Sequence, residues 1–416
     1  MSLPSPAAKS ASGLSTLEAS IRRDLERLEY PRRPWVLSRR ASDGRPILDV
    51  LIIGGGQSGL AAAFGLMREK VDNLLVVDDS APGLSGPWKT FARMHTLRTP
   101  KHLTGPDLNL PNLCFQTWYE AQFGEDAWKA VGFVPKELWA DYLHWYRQVL
   151  AIPVRSHTRV GALSWLPEER CFAVPVRSTD KSGPKEGSKE GSKEGSKDAP
   201  EETLLARKVV LATGIDGSGR WETPANVARL PRELWVHTRD DIDFEALRGK
   251  RIGVLGAGAS AFDNASVALE RGAAEVHLFY RRKTLPTINA YRWAEFVGFL
   301  KHHGDLPDAD RWRFIRRILE MGQLPPHDTY QRARALPHFF LHPESPWQDV
   351  QAVEGRAQVT TPHATFTFDK LIVGSGTVTD LSLRPELAHL VADIALWKDR
   401  YTPPPDEAHA DLERHP

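Results

Sequence analysis

The chain has 416 residues, enough for two or three domains with their own cores, and its 41% hydrophobic and 26% charged side chains are ordinary for a globular protein. Its 54 basic and 53 acidic side chains leave a formal charge of +1, so no phosphate-neutralising excess exists and nucleic acid is excluded as the main partner. Cys114 and Cys171 form no CxxC pair, which excludes a dithiol relay and a disulfide framework. No apolar run approaches the ~20 residues of a membrane span, and the opening stretch MSLPSPAAKSASGLS lacks an apolar signal core. A soluble, cytoplasmic protein is expected.

Residues 1–46 are polar and read as a tail plus one docking helix ending near Arg27. Val50-Leu51-Ile52-Ile53 is a continuous apolar run, the pattern of a buried parallel strand. Glycines follow, then an Ala-rich helix over Leu60 to Met67 and a second apolar strand from Leu74 to Val77, ending at Asp78. The stretch ELWADYLHWYRQVL predicts a helix. Its Trp139, Tyr142 and Tyr146 fall on one face, and with Trp118, Tyr119 and Trp145 they are assigned to core. Strands are predicted over Val160 to Trp165 and Cys171 to Val176. Between the latter and Leu204 lies the tract Lys181 to Pro200, with three tandem Lys-Glu-Gly-Ser units, expected to be a disordered loop expanding a hairpin turn. The strand Lys208 to Ala212 ends at Thr213-Gly214. A second strand–helix–strand pattern starts at Arg251, and a helical region is predicted over Tyr291 to Met321. A last strand, Lys370 to Val373, ends at Gly374-Ser375-Gly376, forty residues before the final one.

Both strand–helix turns carry a glycine fingerprint. Gly54-Gly55-Gly56-Gln57-Ser58-Gly59 fits GxGxxG: Gly54 makes the tight turn, Gly56 lets a pyrophosphate approach, and Gly59 permits close helix–strand packing. Asp78 stands where a ribose-binding acid belongs, near the ~20-residue spacing from the fingerprint. The second fingerprint, Gly256-Ala257-Gly258-Ala259-Ser260-Ala261, is the GxGxxA variant. Its second strand ends in Arg281-Arg282-Lys283 instead of an acid, and guanidinium groups suit a 2′-phosphate. This contrast assigns FAD to the first site and NADPH to the second. The fold class is therefore α/β, with two Rossmann-like dinucleotide-binding domains, the NADP domain inserted in the FAD domain. The expected divisions are 1–46 for the tail and docking helix and 47–225 for the first part of the FAD-binding domain, including the 181–200 insert. The NADPH-binding domain follows over 226–365, and 366–416 form the second FAD part and tail.

Ser85-Gly86-Pro87-Trp88, shortly after Asp78, resembles the GGxW-type segment of class B flavoprotein monooxygenases, which include flavin-containing monooxygenases, Baeyer–Villiger enzymes and N-hydroxylases. The Ala212-Thr213-Gly214 strand end matches that family too, and the resemblance spans about residues 48–380. It implies an enzyme in which NADPH reduces the flavin, reduced flavin captures O2 as a C4a-hydroperoxide, and one oxygen atom passes to a small organic substrate by N- or S-oxygenation or Baeyer–Villiger insertion. Trp88, Thr213 and Gly214 are implied to contact FAD, and Thr99-Pro100-Lys101 lies near where family members place residues close to the flavin. The family's FxGxxxHxxx(W/D) segment is matched by Pro231 to His237, with Pro231 and Glu233 replacing its Phe and Gly. His237 is left as either a linker-ordering residue or a surface histidine.

No catalytic residue is assigned. Arg98, Lys101 and His237 are candidates, Arg98 and Lys101 within a basic cluster with His95 and His102 that either orients an anion or is a solvated loop. Asn289 is a further guess for the nicotinamide cleft. The histidines show no ligand spacing with a carboxylate, so no metal is expected. The forty residues after Gly376 raise the expectation of a poorly covered flavin that leaks H2O2. The competing readings are an NADPH-dependent flavin reductase or oxidase and a non-catalytic FAD/NADP-binding redox sensor.

Overall fold

A computed structural model describes residues 11–28, 33–103, 105–180, 202–322 and 325–416; the expected Lys-Glu-Gly-Ser insert lies outside the described residues. They divide into two compact units, one of residues up to 89, 96–217 and 381–394, the other of 90–95, 218–380 and 395–416.

In the first unit the strand Pro46–Ile53 lies between Leu74–Val77 and Glu202–Leu211, parallel to both. Its Val50 to Ile53 are buried, as a central strand covered on both faces requires. Val154–Arg155 continues the parallel side, and Cys171–Ser178 pairs antiparallel with Glu202–Leu211, with Val176 opposite Glu202. The expected hairpin is thus present. The single strand expected over Val160 to Trp165 is instead two, Thr158–Val160 and Ser164–Leu166. The ladder breaks because Leu163 turns its N–H to the carbonyl of Glu386 at 2.8 Å.

The helix Gln57–Arg68 buries Gly59, Leu60, Ala63 and Phe64. The helix Lys136–Val149 buries Trp139, Tyr142, Trp145 and Tyr146, and Phe115 packs on Tyr142 at 5.4 Å between ring centroids. Each such side chain contributes about 2 kcal/mol through burial, and the Tyr142 hydroxyl is satisfied by donating to the Leu113 carbonyl at 2.7 Å. The docking helix spans Ala11–Arg27, buries Leu17 and Ile21, and accepts at Glu18 a bond from the Trp145 indole.

The second unit holds a five-stranded parallel sheet in the order Trp235–His237, Lys370–Val373, Arg251–Leu255, Glu275–Phe279, Phe339–His342. The second unit takes in residues 218–225 and 366–380, which the expected divisions placed with the FAD-binding part. Lys370–Val373, expected with the FAD-binding part from residue 366, pairs with Arg251–Leu255, Leu255 opposite Val373. Its Leu371, Ile372 and Val373 are fully buried there, completing the core under the helix Ala259–Glu270 and the antiparallel sheet over residues 349–368. The chain rejoins the first unit only over 381–394. The predicted helical region is broken into Val297–His302 and Asp308–Met321 with 3-10 turns around them, Pro307 preceding the second helix.

The last forty residues are held at three places. Thr377–Thr379 pairs with Gly219–Trp221, and Glu386 meets Leu163. Trp397 and Tyr401 pack on the buried Trp312, whose indole donates to the Glu407 carbonyl at 2.8 Å. Among the described residues no helix is long and apolar enough to cross a membrane, and no cluster of metal-ligating side chains occurs.

Candidate dinucleotide sites

The first glycine turn has the geometry a pyrophosphate needs. Gly54 sits at φ +112°, and a Cβ there would lie 2.2 Å from the Ala212 carbonyl oxygen. A Cβ on Gly59 would lie 1.9 Å from the Gly54 oxygen. Both positions therefore demand glycine for packing. Gly56 differs: it caps the helix Gln57–Arg68, and nothing lies within 4 Å of where its Cβ would be. The empty space over a helix N-terminus, with Gln57 and Ser58 exposed beside it, fits an anionic diphosphate.

Asp78 is buried, and its carboxylate accepts the N–H of Gly55 at 2.6 Å and of Ser80 at 2.8 Å. Each oxygen keeps a lone pair for a ribose hydroxyl. Ser85 Oγ lies 3.3 Å from the Gly55 Cβ position, which brings the Ser85–Trp88 segment to the turn. Trp88 is half-buried, and its carbonyl accepts from Lys136 Nζ at 2.8 Å. Thr213 Oγ1 and Gly214 (φ +94°) follow the strand end that backs Gly54.

Two neighbours of this turn carry no motif. The Trp139 indole donates to Gln57 Oε1 at 3.3 Å, linking the aromatic core to the fingerprint. Arg147 lines a small cavity of about 20 Å³ with Gly55, Ser85 and His144. Burial pulls its guanidinium below the usual range, and the nearby Asp78 carboxylate opposes that shift. In the sequence Arg147 lies within the predicted helical stretch, and no motif marks it.

The second turn repeats the design. Gly256 sits at φ +129° with its Cβ position 2.3 Å from the Gly374 oxygen, and Gly258 caps its helix with nothing within 4 Å. Ala261 is fully buried, and a Cβ on Gly374 would lie 3.1 Å from the Ala261 methyl. Gly374 N donates to Leu255 O just as Ala212 N donates to Ile53 O. The Gly374-Ser375-Gly376 end thus backs the second fingerprint as Ala212-Thr213-Gly214 backs the first. Ser260 is exposed in the first helical turn.

Arg281 and Arg282 are both exposed but differ in engagement. Arg282 donates to the Met321 carbonyl at 3.0 Å, at the end of the helix Asp308–Met321. Arg281 enters none of the hydrogen bonds or ion pairs of the described residues. Asn289 uses its side chain to cap a short 3-10 helix, accepting from Tyr291 N at 3.1 Å.

Of the three catalytic candidates, Arg98 and Lys101 belong to the first unit and His237 to the second. Lys101 Nζ donates to the Trp128 carbonyl at 2.8 Å and sits 4.6 Å from the centre of that indole, closing the end of the helix Glu125–Ala130. Arg98 is half-buried, while His95 and His102 are exposed. His237 is 5% exposed, so the surface-histidine alternative is excluded. Its Nδ1 accepts from Arg239 N at 3.2 Å, which places the proton on the buried Nε2, facing the Glu222 carbonyl. Burial holds its pKa below the ordinary value despite Asp240 nearby, so the ring is neutral.

Residues 51–165 match the FAD-NAD(P)-binding family. The chain is 43% identical to the FAD-dependent urate hydroxylase of Xanthomonas campestris pv. campestris over 404 residues, 97% of this chain and 80% of that protein. Two solved structures share its fold. The ornithine hydroxylase of Pseudomonas aeruginosa matches with a TM-score of 0.63 at 14% identity, over 83% of this chain and 86% of that one. The cadaverine monooxygenase of Erwinia amylovora matches with a TM-score of 0.60 at 19% identity, over 79% and 78%.

Proposed function

The chain belongs to the family of the FAD-dependent urate hydroxylase, and on that premise we propose that it is an FAD-dependent, NADPH-driven monooxygenase that hydroxylates urate or a closely similar oxopurine. The balance is substrate–H + O2 + NADPH + H⁺ giving substrate–OH + NADP⁺ + H2O. The observation that carries the reading is 43% identity over 97% of the chain, with both glycine turns kept in the geometry two dinucleotides require.

In this reading the Gly54–Gly59 turn holds the FAD pyrophosphate on the N-terminus of the helix Gln57–Arg68, and Asp78 accepts from the adenosine ribose. Trp88, Thr213 and Gly214 line the path of the rest of the cofactor. The Gly256–Ala261 turn, with Ser260 in its first helical turn, holds NADPH, and Arg281 takes the 2′-phosphate. Arg282 positions the Arg281 strand end through its bond to Met321. Bound FAD supplies hydride acceptance and oxygen activation, while the protein supplies position and exclusion of water. Arg98, Lys101 and His237 are positioning residues here, since Lys101 is spent on the Trp128 carbonyl and His237 is neutral and buried. The unpaired Cys114 and Cys171 suit a reducing, cytoplasmic compartment.

Anaerobic NADPH should bleach the yellow flavoprotein, and NADH should do so more slowly. Admitting air with urate should then yield a hydroxylated product. Bleaching without product from urate or other oxopurines would defeat the proposal.

A further inference from the structure

A cavity of about 350 Å³ opens in the first unit, lined on one side by Lys101, His102, Leu103 and Gly105 and on the other by Asn109, Pro111 and residues 114–116. Its volume falls in the range of small-molecule sites. One wall is Phe115, buried and fixed by contacts with Trp118, Trp128, Trp139 and Tyr142 at 5.4–6.1 Å between ring centroids. At 6% exposure it closes that wall as a small, rigid apolar contact.

The polar lining is arranged for an anion. The nine-residue helix Phe115–Phe123 begins at the cavity with Cys114 as its cap, so its positive end is placed there. The exposed His102 stands on the facing segment, beside Lys101, whose ammonium is held by the Trp128 carbonyl at 2.8 Å. Asn109 contributes an amide, which can pair with the alternating carbonyl and N–H edge of an oxo-heterocycle, while Gln116 donates to Glu120 at 2.8 Å and leaves its amide oxygen as an acceptor. The one carboxylate in the lining, Asp107, is buried and accepts the N–H of Gly105 at 3.1 Å and of Asn109 at 3.0 Å.

The loop itself is held in a costly shape. Leu108 and Asn109 are consecutive non-glycine residues at φ +49° and +66°, a conformation that persists only when the surroundings enforce it. They are enforced here by Asp107, by Arg68 donating to the Leu108 carbonyl at 2.9 Å, and by the Tyr146 hydroxyl on the Pro106 carbonyl. The strain presents the Asn109 side chain at the cavity.

We infer that this cavity binds the organic substrate, a planar oxo-heterocycle carried as an anion, set against the apolar wall at Phe115 and held by Asn109, His102 and the start of the helix Phe115–Phe123. The inference rests on the hydroxylase reading for the identity of the ligand, and urate is the probe that tests it. Asn109→Asp and Asn109→Gly both tolerate the left-handed backbone, so each keeps the fold, which bound FAD content verifies. His102→Asp places a negative charge on the facing wall from an exposed position.

Urate binding to the FAD-loaded full chain is measured by quenching of tryptophan fluorescence, alongside urate-dependent NADPH oxidation. Asn109→Asp and His102→Asp should raise both the Kd and the KM for urate at least tenfold, with kcat at saturating urate within twofold of wild type. Asn109→Gly should raise them less than Asn109→Asp. Urate turnover by wild type with Asn109→Asp within twofold in Kd and KM overturns the cavity assignment and leaves the hydroxylase reading standing. Wild-type protein that binds urate, loses that binding in Asn109→Asp, and oxidises none of it overturns the hydroxylase reading and supports the cavity. Wild-type protein that neither binds nor oxidises urate overturns both.

Discussion

The Asp78 carboxylate accepts the backbone N–H of Gly55 at 2.6 Å, tying the end of one parallel strand to the glycine turn that follows its neighbour. The same carboxylate accepts from Ser80, so it organises the turn before any ribose arrives. Asp78→Ala would leave the buried Gly55 donor unpaired, at a cost of about 1–3 kcal/mol, and release the half-buried Ser80 donor. Purified Asp78→Ala should be less stable than wild type and should bind FAD at least tenfold more weakly in a fluorescence titration. Unchanged FAD affinity would remove Asp78 from the site.

The glycines of each fingerprint separate into packing and binding positions. Gly54→Ala and Gly256→Ala place a methyl 2.2 and 2.3 Å from carbonyl oxygens and should destabilise the unit that holds them. Gly56→Ala and Gly258→Ala meet no protein atom within 4 Å and should fold with near-wild-type Tm. Gly56→Ala should nonetheless lose FAD, and Gly258→Ala should keep FAD but resist reduction by NADPH. Equal thermal loss in all four variants would contradict this division.

Arg281 and Arg282 should behave differently despite being adjacent. Arg281→Ala should raise the KM for NADPH about tenfold or more and leave that for NADH nearly unchanged, because only NADPH carries the 2′-phosphate. Arg282→Ala removes the donor to Met321 and should lower Tm by a few degrees, in keeping with the loss of about 1 kcal/mol. Steady-state kinetics with both cofactors checks this, and a shared phenotype would show that both guanidinium groups meet the cofactor.

Acid should destabilise the second unit through a buried histidine pair. His277 Nδ1 lies 2.9 Å from His342 Nε2 with the rings within 6° of parallel. Burial, and the neighbouring His342 and Arg251, lower the His277 pKa to about 4 from 6.5, with Glu275 opposing. The folded pKa lies below the unfolded one, so the contribution is complete above pH 6.5 and is lost as pH falls toward 4. The slope is about 1.4 kcal/mol per pH unit in that window. His277→Phe, flanked by Phe279 and Phe340, should show a smaller drop in urea midpoint between pH 7.5 and 5. Parallel losses in the two proteins would exclude the pair as the cause.

The local parts of this fold were legible because they depend on local physics. Strand, glycine turn, helix and Asp78 follow one another in sequence, and each constrains the next through contacts a few residues away. The sheet that receives Lys370–Val373 was not legible. An apolar strand ending in small residues satisfies either fingerprint, and only long-range pairing of Val373 with Leu255 decides between them. The roles of Lys101 and Arg282 were hidden for a similar reason: their partners are backbone carbonyls of Trp128 and Met321, and every residue has one. Phe115 read as one more aromatic in a rich segment, although it forms both the core and a cavity wall.

The stoichiometry of NADPH oxidation under air tests the central claim most directly. The FAD-loaded chain with urate should consume one NADPH and one O2 per urate hydroxylated, with little H2O2, and should slow sharply when urate is withheld. NADPH consumption at the same rate with and without urate, balanced by H2O2 and with urate recovered intact, would contradict it.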